Sequence, residues 1–190
     1  MGRKILQGEA TKPNEVDCKD LAKRLELLGG LRVHVDPHGN WPDAGSIRWA
    51  KPTDRAAILW NSDFVERLSP EEFDALCAHE YRHLLRWWSW QEAFAFKDGK
   101  GRDRGFRGPR LQFVRAARWL FEFQSDEFAA RFAGARHAAS MLRAVRAWGG
   151  EQKSREKLRE LERMQPHPPY ALRLAFLKLL GLVPPWWREE

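Results

Sequence analysis

The sequence lacks the features that would place the protein outside the cell or within a membrane. Its 190 residues include two cysteines, Cys18 and Cys77, too few for a disulfide framework. No apolar run approaches the roughly 20 residues that span a bilayer. The opening stretch, MGRKILQGEATKPNE, contains no apolar segment of a signal peptide. We therefore expect a cytoplasmic protein in a reducing compartment.

The composition favours one folded domain spanning residues 1–190. Hydrophobic residues make up 43% of the chain and ten residues are tryptophan, so a globular core is expected. The net charge of +7 is spread along the chain, with one basic, glycine-rich concentration at 97–110. We expect that stretch to be a mobile solvated loop. Its charge alone would attract nucleic acid only non-specifically.

Apolar spacing and turn residues predict a helix, then a short sheet, then mostly helices. Ser69, Pro70 and Glu72 form a helix start with a capping box, and the helix that follows is expected to run to about Phe96. This order predicts an α+β fold with a small antiparallel sheet and a mainly helical body. The other predicted helices cover 14–28, 110–133, 136–148, 151–164 and a last segment from Pro168 to Gly181, and the predicted strands cover 31–35, 45–50 and 56–61.

The stretch LCAHEYRHLL, residues 76–85, contains the pattern His-Glu-x-x-His on this helix. Residues four apart lie on one face of a helix, so His79 and His83 can direct two imidazoles at a single metal ion. Glu80 lies beside them and can reach a water activated by the metal. The pattern is typical of zinc peptidases, which need a third protein ligand and an open fourth position.

The third ligand distinguishes the classes of zinc peptidase. A metzincin would need histidine at position 89, which is serine, and a SprT-type protease would need histidine at position 87, which is tryptophan. What remains is a carboxylate on a separate downstream helix, the gluzincin arrangement. Glu122 is our candidate for the ligand. Asp126, one turn later on the same face, can accept the free ring N–H of a ligand histidine.

Three ordered motifs resemble the CAAX prenyl protease and HtpX type of zinc peptidase, over residues 31–181. FEFQSDEFAARFAG, residues 121–134, is similar to the family's E-x-x-x-D helix, and PHPPYALRLAFL, residues 166–177, to its His-Pro-Pro segment. The resemblance implies a zincin-like fold in which His167 stabilises the oxyanion, with Tyr170 or Arg173 as further oxyanion or substrate contacts. The family is typically embedded in membrane, whereas this chain has the loop at 97–110 where spanning segments would be expected. It therefore looks like a minimal, soluble member.

The predicted function is a zinc-dependent endopeptidase with one Zn²⁺ per chain, held by His79, His83 and Glu122. Glu80 would be the general base toward the metal-activated water, and a peptide or unfolded protein would bind as an extended strand at the free edge of the sheet.

Two alternatives stay open on the sequence. An ImmA/IrrE-type regulatory peptidase would cleave one specific repressor. A non-catalytic, metal-containing module would use the basic loop to bind nucleic acid, although no specific nucleic acid is expected. The two tryptophans of the stretch PPWW, residues 184–187, lie in a tail comprising 182–190. They could dock on the body, cover the cleft or contact a membrane surface peripherally.

Overall fold

A computed structural model describes residues 15–37, 45–50, 55–86, 108–152 and 167–182. The described part is mainly helical and contains one small sheet, which confirms the α+β class. The elements are α1 (Glu15–Gly29), β1 (Val33–Asp36), β2 (Gly45–Ala50), β3 (Arg55–Trp60), α2 (Ser62–Val65), α3 (Pro70–Arg86), α4 (Gly108–Ala133), α5 (Ala135–Gln152) and α6 (Tyr170–Leu182).

The sheet is mixed, so the prediction of an antiparallel sheet is wrong for one of its two strand pairs. The strand order is β1-β3-β2, with β2 antiparallel to β3 and β1 parallel to it. Val35 of β1 and Ile47 of β2 both pair with Ile58 of the central strand. Side-chain alternation is the same for parallel and antiparallel neighbours. The pattern therefore could not show that β3 lies between β1 and β2 in the sheet, parallel to the first and antiparallel to the second.

The helix boundaries follow the local signals closely. Gly30 and Gly134 have φ values of 73° and 95° and end α1 and α4, as their positions predict. At the start of α3 the amide of Glu72 donates to the Ser69 hydroxyl at 3.2 Å, and the amide of Ser69 donates to the Glu72 carboxylate at 2.9 Å. The capping box is therefore confirmed. The short helix α2 was not predicted.

Several predictions concern residues outside the described ranges. These are the continuation of α3 beyond Arg86, most of the basic loop at 97–110, the helix at 151–164 beyond Gln152, and all but the first residue of the tail at 182–190.

Helix α3 lies in the centre of the core, with one face toward the sheet and α1 and another toward α4 and α5. Tyr81 on this helix is fully buried, and its hydroxyl joins α3 to the turn between α1 and β1. The hydroxyl donates to the carbonyl of Leu31 at 2.8 Å and accepts from the amide of Leu31 at 3.0 Å. These two hydrogen bonds fix the helix that carries the histidine pair to the turn that leads into β1.

Among the described residues, none of the helices is both long enough and apolar enough to cross a bilayer.

The close approach of Gly29 to Tyr81 gives a stability prediction. A Cβ at Gly29 would lie 2.5 Å from Tyr81 Cε1 and 2.8 Å from Leu85 Cδ1, so Gly29→Ala should destabilise the protein by about 1–3 kcal/mol through overpacking. A Cβ at Gly149, inside α5, meets nothing within 4 Å. Gly149→Ala is therefore the matched control and should stabilise by up to about 1 kcal/mol. Urea unfolding measures both, and equal effects of the two substitutions would contradict this packing.

Candidate metal centre

The histidine pair of α3 points toward one place, as the four-residue spacing predicts. The Nε2 atoms of His79 and His83 lie 3.1 Å apart. His79 is 5% exposed and the side chain of His83 is 13% exposed, so both rings lie largely below the surface. Two imidazole lone pairs this close repel each other unless a proton or a metal cation lies between them.

Helix α4 brings the carboxylate of Glu122 to the same place. Its Oε2 lies 3.6 Å from His79 Nε2, and its Oε1 lies 3.4 Å from His83 Nε2. Glu122 is only 5% exposed, although it lies on a helix whose other face carries exposed residues. These three side chains form a buried cluster whose donor atoms all lie within 4.8 Å of one another and could hold a metal ion.

The spacing of the donors fits a tetrahedral ion. Metal bonds of about 2.0–2.1 Å at tetrahedral angles separate neighbouring ligand atoms by about 3.3 Å. In this cluster the two Nε2 atoms lie 3.1 Å apart, and they lie 3.6 Å (His79) and 3.4 Å (His83) from different oxygens of the Glu122 carboxylate. Two imidazoles and a carboxylate are also a donor set that zinc prefers in catalytic sites, where a fourth position stays open. The residues present therefore fit the group that the sequence implies.

Asp126, one turn beyond Glu122 on α4, orients His79 from behind. Its Oδ1 lies 3.0 Å from His79 Nδ1. If Nδ1 carries the proton, His79 donates it to Asp126 and keeps the Nε2 lone pair for the cluster. The contact is the one expected for a carboxylate that fixes the tautomer of a ligand histidine.

Arg173, on α6, joins the two buried carboxylates of α4, Glu122 and Asp126. Its Nε and one terminal nitrogen donate to Asp126 at 2.8 and 2.6 Å, and its other terminal nitrogen lies 3.2 Å from Glu122 Oε2. Arg173 is 6% exposed. Its guanidinium is thus committed to these carboxylates, a placement different from the open oxyanion or substrate contact that the resemblance implies.

His167 and Tyr170 lie on the other side of the cluster. The Nδ1 atom of His167 is 2.9 Å from Glu122 Oε1, and its side chain is 43% exposed. Tyr170, the first residue of α6, is half-buried, and its ring centroid lies 6.0 Å from the guanidinium carbon of Arg173. His167 therefore links the buried carboxylate to the surface.

Glu80 lies beside the cluster without joining it. It is half-buried, and its carboxylate forms no hydrogen bond or ion pair with another side chain among the described residues. Burial raises the pKa of this carboxyl group, an effect that the nearby charge of Glu122 strengthens. An uncommitted carboxylate of raised pKa is suited to accept a proton.

The surroundings of the two histidines shift their pKa values in opposite directions. Burial alone would lower the pKa of His79, but its hydrogen bonds to Asp126 and Glu122 raise it to about 9. Burial lowers the pKa of His83 to about 3. Burial alone would raise the pKa of Glu122, because Glu122 is an acid, but hydrogen bonds from His167 and His79 hold this pKa well below its usual range. The cluster thus retains a carboxylate and one neutral imidazole.

The structure brings together every residue that the sequence singled out for the site: His79, Glu80, His83, Glu122, Asp126, His167, Tyr170 and Arg173. Sequence reasoning missed that Arg173 pairs with Asp126 and that His167 contacts Glu122. No local pattern signals contacts between residues more than forty positions apart.

Comparisons with models of protein families, with curated proteins and with solved structures find no match to this chain. Membership of the CAAX prenyl protease and HtpX type therefore stays a prediction.

The buried contact between Asp126 and Arg173 should make a large contribution to stability. Arg173→Met leaves two buried carboxylates without their cation and should cost about 3–5 kcal/mol in the metal-free protein. Asp126→Asn should also destabilise, and the double variant should lose less than the sum of the two single losses. Urea unfolding of the single and double variants measures this coupling.

Glu127 provides the control on the same helix. It forms an exposed ion pair with Arg131 at 2.8 Å, so Glu127→Gln should cost less than about 1 kcal/mol. Additive losses at Asp126 and Arg173 would contradict the assigned pair.

Proposed function

We propose that the protein is a zinc-dependent peptidase. The observation that carries the proposal is the convergence of His79, His83 and Glu122, whose ligand atoms lie within 4.8 Å of one another, beside Glu80, a glutamate without an ion-pair partner among the described residues. A purely structural ion would need no such free carboxylate, and structural zinc sites usually have four protein ligands.

The protein's own residues would prepare the site for the ion. His79, His83 and Glu122 would hold the ion. Asp126 would fix the tautomer of His79. Arg173 would hold the carboxylates of Glu122 and Asp126 in position. A bound zinc ion supplies Lewis-acid chemistry, polarising a carbonyl and lowering the pKa of water toward about 7.

Glu80 would perform the proton transfers. It would take a proton from the attacking water and pass it to the nitrogen of the leaving amine, as a general base and then a general acid. Its half-buried position, its raised pKa and the absence of an ion-pair partner for it in the described part of the chain support this role.

His167 and Tyr170 are the candidates for stabilising the oxyanion that forms on the substrate. With Nδ1 of His167 held by Glu122, the ring leaves Nε2 for the substrate, and a protonated imidazole donates from that atom. Tyr170 is the second candidate because the same segment carries it, three residues after His167. Donors of this kind contribute on the order of 3 kcal/mol in comparable sites.

The substrate would be a peptide or unfolded protein that lies along an edge of the sheet. Strand β2 forms one such edge of the sheet among the described residues, because β3 is the one described strand that pairs with it. An extended peptide can add to an edge strand through its backbone, so recognition would depend only loosely on sequence.

Metal analysis tests the ligand set. The purified protein should contain one zinc per chain, and Glu122→Gln or His83→Ala should lose it, because two remaining ligands bind zinc weakly. Glu127→Gln changes the same chemical group five residues further along α4 and should retain the metal. The ligand assignment fails if Glu122→Gln and Glu127→Gln hold equal amounts of zinc.

Casein digestion tests the reaction. The wild-type protein should cut casein, a chelator should stop cleavage, and added zinc should restore it. Glu80→Gln should keep the metal and lose at least about a hundredfold in rate, because the proton acceptor is gone. A Glu80→Gln protein that cuts as fast as the wild type would refute the assigned base, and a zinc-loaded wild type that cuts nothing would refute the peptidase.

A further inference from the structure

The positive charge near the cluster is only partly neutralised. The Tyr170 ring lies near two arginines, whose guanidinium carbons are 6.0 Å (Arg173) and 5.9 Å (Arg146) from its centroid. Arg173 is buried and bound to Asp126 and Glu122. Arg146, on α5, is exposed, and no carboxylate among the described residues forms an ion pair with it.

Tyr170 connects the exposed Arg146 to the buried network of Arg173. The tyrosine begins α6 and follows His167 by three residues, and the half-exposed ring of His167 contacts Glu122 directly. One guanidinium near the Tyr170 ring belongs to the buried network and the other faces water. Arg146 is therefore linked to the cluster through Tyr170 and Arg173, and a substrate that contacts the Tyr170 ring would also come close to Arg146.

The chemistry of Arg146 selects one kind of group. A guanidinium near an aromatic ring is held by cation–π attraction, and its planar array of N–H donors matches the two oxygens of a carboxylate. The amino-terminal end of α6, which begins at Tyr170, adds partial positive charge nearby. A neutral acceptor gains a weaker hydrogen bond from this arrangement, and a basic group is repelled by it.

We propose that Arg146 is a specificity-determining residue that binds a carboxylate of the substrate beside the metal cluster. The carboxylate is either an acidic side chain near the scissile bond or the carboxyl terminus of the peptide. The proposal rests on the proposed peptidase function for the identity of the substrate, but it can be tested by binding alone.

Binding of labelled peptides to zinc-loaded, full-length Glu80→Gln protein provides the test, since this variant is expected to bind without cutting. Three peptides share one sequence. The first has an internal glutamate and an amidated end, the second has glutamine there and an amidated end, and the third has glutamine and a free terminal carboxylate. Fluorescence anisotropy at physiological ionic strength measures each affinity.

The glutamate peptide, the free-carboxylate peptide or both should bind about tenfold more tightly than the neutral peptide. Which of them does so identifies the source of the carboxylate. Adding Arg146→Gln should abolish the preference without weakening the neutral peptide, and Arg146→Lys should retain part of it because the charge remains.

Arg136→Gln is the matched control. Arg136 is also an exposed arginine on α5, about 15 Å further along the helix axis, and its loss changes the net charge equally. The preference should survive it. Equal binding of the three peptides, a preference that survives Arg146→Gln, or one that Arg136→Gln removes equally would overturn the proposal. The casein experiment tests the peptidase separately, so the two failures are distinguishable.

Discussion

Carboxylates buried away from water need positive charge beside them, and this requirement organises the centre of the protein. Glu122 and Asp126 are 5% and 0% exposed, and Glu80 lies half-buried next to them. Arg173 contributes one positive charge to these three carboxylates, and His79, with its pKa raised to about 9, contributes a second in the absence of a metal. A divalent cation between the imidazoles and Glu122 would take the place of the proton on His79 and bring the total to zero. The charge balance is therefore compatible with a divalent cation at this cluster.

Features encoded by neighbours in the chain were predictable from the sequence. The capping box at Ser69, the end of α4 at Gly134 and the shared face of His79 and His83 each depend on residues within one or two helical turns. The relation of Glu122 to Asp126 is of the same kind. Each pair has one low-energy local geometry, so a short pattern is sufficient to identify it.

Features that depend on distant pairing were not predictable in the same way. The parallel pairing of β1 with β3 depends on the order of the strands in the sheet. Side-chain alternation in either strand is compatible with parallel and with antiparallel pairing. The contact between Arg173 and Asp126 joins α6 to α4 across 47 positions. The resemblance placed Arg173 at the site, but only the packing of α6 shows that its guanidinium is occupied by carboxylates.

The way the fold supports the cluster also bears on the kind of metal site that it could form. Its ligand atoms come from α3 and α4, and side chains of α6 and of the segment before it contact Glu122, so the donors converge only when these helices are packed. The packing does not depend on the ion alone, because a buried apolar core surrounds α3 and Arg173 already compensates part of the negative charge. Structural zinc sites in small domains, by contrast, supply the folding energy themselves and use four protein ligands. Three converging ligands on a core of this kind suit a site whose remaining position is open to a substrate.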